Sequence, residues 1–361
     1  MAPTYKIAVI QLYPKFPCTP KSVCALLNPN LRTKFCKIRR DVLKTVGQLI
    51  DGLPILTSSL QPLAIEDNHS KAVEFIREAA SQSCDLAVLP EYHLTNWLPD
   101  DPNFTQIISH NIPTPKHLHL TQHQSPSAPN TKKYLDAYCS LAAELKINIV
   151  PGTIVETHGT ELTNVAYFIS STGAILGQYQ KKNLWHPERP HLTSSAHVPH
   201  EAFDTPLGKV GMLICWDLAF PEAFRELIAG GAKMIIIPTF WSLSDCTDEG
   251  LAYNAQSEAL FLESTLVSRC FENTCMVVFA NAGGPKGKST KGSYAGLSQV
   301  AVPFKGALGK MGDEEGMSVV EVDMQILEVA EDNYKVREDI GREGWHYEYA
   351  LTRERVDNGK L

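Results

Sequence analysis

The sequence predicts an α/β fold on two observations. Short apolar runs suited to buried strands alternate with amphipathic helical stretches, and residues 210–238 read as one strand-helix-strand unit. The opening MAPTYKIAVIQL reads as a first strand rather than a signal peptide. Ser70 to Ser83 places Ala72, Val73, Ile76, Ala79 and Ala80 on one face, a helix feeding a strand at Leu86 to Leu89. Pro99 to Asn130 is polar and Pro-rich and reads as a long loop, a type often used as a lid. A helix from Lys132 to Lys146 leads into a strand from Ile147 to Val155, and Asn164 to Ser170 with Gly173 to Tyr179 forms a hairpin about Ser171 and Thr172. Val210 to Ile214 is a buried strand, Pro221 suits the first turn of a helix running through Leu227, and Met234 to Pro238 is the strand after it. Tyr253 to Arg269 reads as a helix and Met276 to Asn281, Gln299 to Val302 and Ser318 to Val322 as late strands. A charged tail follows from Glu338.

Composition narrows the function classes. A chain of 361 residues with 43% hydrophobic content can bury a substantial core, and a net charge of -7 gives no basis for a nucleic-acid partner. No apolar run reaches membrane-spanning length. Nine cysteines at irregular spacings, none in a C-x-x-C arrangement, argue against a disulfide framework or zinc site and fit a reducing compartment, so the cytoplasm is the expected location. His117, His119 and His123, and His186 and His191, lack partners at ligand spacing; no metal and no cofactor are expected. GGPKGKST at Gly283 to Thr290 imitates a phosphate loop but is one residue short between its glycines.

Chemistry concentrates where strands end. The run before Cys215 is apolar, and a thiol at a strand's carboxyl end, near a helix N-terminus that would favour the thiolate, suits a nucleophile. Leu86 to Leu89 ends in Pro90 and Glu91, and Gly173 to Tyr179 ends in Gln180 and Lys181. A carboxylate can take the thiol proton, an ammonium can hold a developing oxyanion, and sulfur can carry an acyl group; together these suffice for acyl transfer. Tyr92, Trp185, Phe240 and Trp241 fall at the same strand ends and are candidate pocket walls. Glu222 and Glu226 read as early-helix charges, and Asp217 as structural rather than catalytic.

LAVLPE around Glu91, YQKKNLWHPE around Lys181 and GMLICWDLAFPE around Cys215, with RCFENTCMVVFAN and YAGLSQVAVPFKG downstream, resemble the carbon-nitrogen hydrolase family, the nitrilase superfamily, from Lys6 to about Glu331. The resemblance implies an αββα sandwich of mixed sheets, a Glu-Lys-Cys triad, and hydrolysis of a non-peptide carbon-nitrogen bond without a cofactor. It implies Glu91 as base, Lys181 as oxyanion partner and Cys215 as nucleophile, with the backbone N–H of Trp216 as a second oxyanion donor. The family pattern Tyr-Arg-Lys-x-His-Leu falls on Tyr179 to Leu184 and selects Lys181 over Lys182, while Gln180 and Asn183 depart from it. Glu188 in HPERP is the positional match for a second active-site glutamate. Cys-Trp-Asp rather than Cys-Trp-Glu points to a small-molecule amide or N-carbamoyl amide, with a nitrile as the alternative, and the family implies a homodimer or larger homo-oligomer. A class I glutamine amidotransferase would need a Gly-x-Cys-x-Gly elbow, and around Cys215, between Ile214 and Trp216, the two glycine positions hold Leu213 and Asp217. A non-catalytic family member is the remaining alternative; the presence of all three triad residues argues against it.

One segment is foreign to this pattern. A single hydrolase domain over 1–361 is expected, with an atypical insertion at about 16–61, where the family passes within a few residues to the first helix; the first forty residues contain no Asp or Glu. Three readings of the insertion stand. It is a retained intron translated in frame, since Ile55-Leu56-Thr57 admits a CTAAC branch point and Leu60-Gln61 a terminal TTGCAG; or a transit peptide, which the preceding strand disfavours; or a surface loop of this chain.

Overall fold

The structure, a computed structural model, describes residues 2–15, 64–99, 129–158, 161–286 and 294–344. Strand β1 (Thr4–Gln11) buries Ile7 and Val9 on one face and Ala8 and Ile10 on the other, so it needs cover on both sides. It lies antiparallel to β13 (Gly316–Asp323) and parallel to β2 (Leu86–Val88). From β2 the first sheet continues through β3 (Asn148–Val150) to β5 (Glu161–Ile169), with β4 (Thr153–His158) and β6 (Ile175–Gln180) both antiparallel to β5. The second sheet runs β12 (Gly306–Leu308), β11 (Gln299–Val302), β10 (Met276–Ala280), β9 (Met234–Pro238), β8 (Gly208–Met212), β7 (Phe203–Thr205), with the three strands β8 to β10 parallel.

Burial fixes the layering. Ile7, Val9, Leu86, Val88 and Phe168 of the first sheet share one core with Val210, Met212, Ile235 and Ile237 of the second. Ala8, Ile10, Ala87 and Ile149 point the other way, onto α1 (Ile65–Ser81) through Ala72, Ile76 and Ala79 and onto α2 (Pro129–Leu145) through Tyr138, Leu141 and Ala142. Helices α3 (Pro221–Ala229) and α5 (Ser257–Glu272) cover the second sheet with Phe224, Leu227, Leu262, Leu266 and Cys270. The order helix, sheet, sheet, helix is the expected αββα sandwich. Strands enclosed on both faces explain why β9 and β10 read as unbroken apolar runs rather than alternating ones.

Two elements differ from expectation. The strand expected over Ile147 to Val155 is cut into β3 and β4 at Pro151 and Gly152. Gly152 has φ +63, and a Cβ there would lie 1.9 Å from the Pro90 carbonyl oxygen, so the chain turns where only glycine fits, against the residue preceding Glu91. The helix expected over Tyr253 to Arg269 is two, α4 (Asp248–Tyr253) and α5, broken at 254–256; the Thr247 side chain caps the first by accepting from Gly250 N. The chain adds α6 (Gln325–Tyr334) and α7 (Val336–Ile340), so the tail expected from Glu338 begins inside a helix, and its residues beyond 344 lie outside the described ones. The insertion at 16–61, the loop at 99–130 except its ends, and His117, His119 and His123 also lie outside them.

Candidate active site

Glu91 follows β2, Lys181 directly follows β6, and Cys215 opens a 3-10 turn (Cys215–Ala219) beyond β8. Two of these strands belong to the first sheet and one to the second, and the three side chains meet at one cavity of about 190 Å³. Cys215 has φ 48 and Tyr92, next to Glu91, has φ 52. A non-glycine residue in this left-handed region costs about 1–2 kcal/mol, so its surroundings must hold it there.

Asp217 supplies that hold at the cysteine. Its Oδ2 accepts from Ile214 N at 2.9 Å and from the Tyr179 hydroxyl at 2.8 Å. Its Oδ1 accepts from Asn183 N at 3.0 Å and Asn183 Nδ2 at 2.8 Å. The elbow that carries the sulfur is thereby tied to the segment that carries Lys181. Asn183 stands where the family pattern has histidine, and its amide makes this tie.

Lys181 is 1% exposed, and an isolated ammonium so deep would be very costly. Its Nζ is clasped by Glu91 Oε1 at 2.9 Å and Glu188 Oε2 at 2.8 Å. Burial opposes the charge on Lys181, but the two carboxylates prevail and raise its pKa well above the usual lysine range. Glu188 also accepts from the Tyr92 hydroxyl and from Trp185 N. Glu91 accepts from Asn164 Nδ2 at 2.7 Å through Oε1 and from Phe240 N at 2.9 Å through Oε2. Burial nevertheless raises its carboxyl to about 7, Lys181 pulling it down and Glu188 pushing it up. The Cys215 thiol, which donates to Phe240 O at 3.8 Å, also helps to lower this carboxyl.

The expectation that a helix N-terminus favours the Cys215 thiolate is corrected. Burial, followed by the Glu91 carboxylate, pushes the thiol well above its ordinary pKa. The neutral thiol is therefore the resting form, and a base is needed to generate a thiolate. Of the two adjacent lysines, Lys181 lines the cavity, whereas Lys182 faces Glu226 at 3.9 Å.

Tyr92, Trp185, Trp216, Phe240 and Trp241 line the same cavity, with ring centroids 4.5 Å apart for Trp185 and Trp216 and 5.5 Å for Trp216 and Trp241. Sequence reasoning missed Trp97 and Asp245 in the lining and Asn164 behind Glu91. A lone amide inside the apolar run of β5 was the available signal for Asn164; Asp245 sits in a polar stretch that resembles ordinary surface. Among the described residues no group of histidine, cysteine and carboxylate side chains is arranged to hold a metal ion. His186 packs on Trp185, and residues 283–286 of the phosphate-loop imitation open no helix.

The carbon-nitrogen hydrolase family model matches residues 53–331. The chain belongs to the carbon-nitrogen hydrolase family. As a carbon-nitrogen hydrolase it is an enzyme. It is 26% identical over 273 residues to the 2-oxoglutaramate amidase of Bacillus subtilis (strain 168), covering 76% of this chain and 91% of that one. It is 26% identical over 275 residues to the human deaminated glutathione amidase, covering 73% and 74%. Its fold is similar to that of an amidase of the nitrilase superfamily from Nesterenkonia AN1, with a TM-score of 0.60, 19% identity, and coverage of 92% of this chain and 94% of that one. The family match begins after β1, yet β1 pairs with β2 on one side and the edge strand β13 on the other, within the first sheet. No helix among the described residues is long and apolar enough to cross a membrane.

Proposed function

We propose that the protein hydrolyses a small-molecule amide or N-carbamoyl amide through a cysteine thioester, with Glu91, Lys181 and Cys215 as the triad. The observation that carries this reading is the buried Lys181 ammonium held between Glu91 and Glu188 over the cavity that Cys215 lines. Such a pair of carboxylates makes Lys181 a fixed cation, unable to act as a base. That leaves Glu91, whose carboxyl lies near 7, to take the thiol proton.

Sulfur then attacks the carbonyl carbon, and the electron pair of the C=O bond moves to oxygen. The Lys181 ammonium and the Trp216 N–H stabilise that oxyanion. On collapse the C–N bond breaks, and the nitrogen leaves as ammonia or an amine with the proton held by Glu91. Water adds to the thioester, Glu91 accepts its proton, and the acid departs as the thiol is restored. Glu188 holds Lys181 in place and is a positioning residue. The relatives named as amidases support the amide reading, and a nitrile is the second substrate class. We also propose one hydrolase domain interrupted at 16–61, a cytoplasmic location and a homo-oligomer.

Ammonia release across amides, N-carbamoyl amines and nitriles, with Cys215→Ala as control, tests this. Turnover of an amide that falls by about 10⁴-fold or more in the control is the expected outcome. Activity surviving in Cys215→Ala removes the assignment.

A further inference from the structure

Beyond the triad, the cavity has a carboxylate that the proposed chemistry does not use. Asp245 lines it beside Cys215, Lys181 and Trp241. Its Oδ2 accepts from Ser242 N at 2.9 Å, and among the described residues no lysine, arginine or histidine is paired with it. The charged side chains lining the cavity are Glu91, Glu188 and Asp245 against Lys181 alone, a formal excess of two negative charges when all are ionised and of one when Glu91, with its carboxyl at about 7, holds a proton. The one ammonium is already clasped by two of those carboxylates.

The walls reinforce that sign. Trp185, Trp216 and Trp241 form one aromatic run, and Tyr92 stacks on Trp97 at 5.0 Å within the same lining. Trp241 Nε1 donates to Glu258 Oε2 at 2.6 Å, so a carboxylate behind the indole makes its ring more electron-rich. Electron-rich faces next to a carboxylate attract a cation, while an anion would enter against uncompensated negative charge.

We infer that the site selects a cationic amide, one bearing an ammonium or similar positive nitrogen group away from the scissile carbon, received by Asp245 and the tryptophan faces. This deepens the amide reading above and rests on it for the reaction, though not for the charge preference. Burial raises the Asp245 carboxyl to about 6, with the Ser242 N–H and Lys181 pulling it down and Glu258 and Glu188 pushing it up, so the carboxylate prevails at neutral pH and a bound cation favours it further.

The test separates binding from turnover. Binding of 4-aminobutanamide, its neutral isostere pentanamide and the anion succinamate is measured by calorimetry on the full chain carrying Cys215→Ala. The cationic ligand is expected to bind at least about tenfold more tightly than either of the others. Asp245→Asn in that background is expected to shrink the ratio to about threefold or less, and Asp245→Glu to restore it. Pentanamide or succinamate binding as tightly as 4-aminobutanamide overturns the inference, as does failure of 4-aminobutanamide to bind, or an unchanged ratio in Asp245→Asn. If Asp245→Asn does not fold, the three-ligand comparison decides alone. Incubation of the parent enzyme with 4-aminobutanamide forms the separate arm: tight binding without ammonia release would sink the amide reading and leave the charge selectivity standing.

Discussion

At the scale of single residues, the site is governed by desolvation. Glu91, Lys181 and Cys215 are all buried, and each charge is tolerable only because of a named partner. The proposed base must be ionised to act, and its pKa is raised to about 7. The sign follows: below that pH the carboxyl is protonated and cannot accept from the thiol, so kcat/KM falls on the acid side with an apparent pKa near 7. A pH–rate profile checks it, and a rate that stays flat down to pH 5 would remove Glu91 as base. Glu91→Gln is expected to lower kcat/KM by about 10²–10⁴ and to erase that acid limb. Asp217 acts through geometry. Asp217→Ala strips the acceptor from Tyr179, Asn183 and Ile214 N–H together, and a loss of about 3 kcal/mol or more is expected in urea unfolding.

At the scale of elements, the informative feature is where strands stop. Periodicity located the strands and helices, because burial on two faces or on one face leaves a mark in the order of residues. It did not locate the corner at Gly152, whose cause is a contact with Pro90, 62 positions earlier in the chain. Gly152→Ala would drive a methyl into the Pro90 carbonyl at a positive φ, beside the residue that positions Glu91. A loss of about 3 kcal/mol or more is expected. Thermal melting together with ammonia release reads both consequences, and a variant with parental melting and turnover would show that the corner tolerates a side chain.

At the scale of the whole molecule, the two ends of the segment after β1 lie side by side. Lys15 N donates to Asn68 Oδ1 at 2.9 Å, Asn68 Nδ2 donates to Leu94 O, and Asn96 Nδ2 donates to Pro14 O. Residues on either side of the proposed insertion therefore sit at neighbouring places in the fold. Closing a short loop between such ends costs little chain entropy. Joining Lys15 to Ala64 through a Gly/Ser linker is expected to give a protein that melts and turns over like the full chain. Loss of either property would assign residues 16–63 to the functional enzyme.

The sequence by itself determined the α/β class and the family, and it pointed to the proposed chemical parts, because each strand end bearing Glu91, Lys181 or Cys215 is announced by the local apolar run before it. It could not determine the charge state of those parts. The fixed ammonium needs Glu91, ninety positions before Lys181, brought beside it by the first sheet, and the neutral thiol and net negative pocket need the second sheet to bring Cys215 and Asp245 to the same cavity. Asp245, Asn164 and Asp217 are ordinary polar residues in the chain and become buried acceptors or pocket walls in the fold. Electrostatic interactions depend on distance in space and exclusion of water, and both are properties of the packed sandwich.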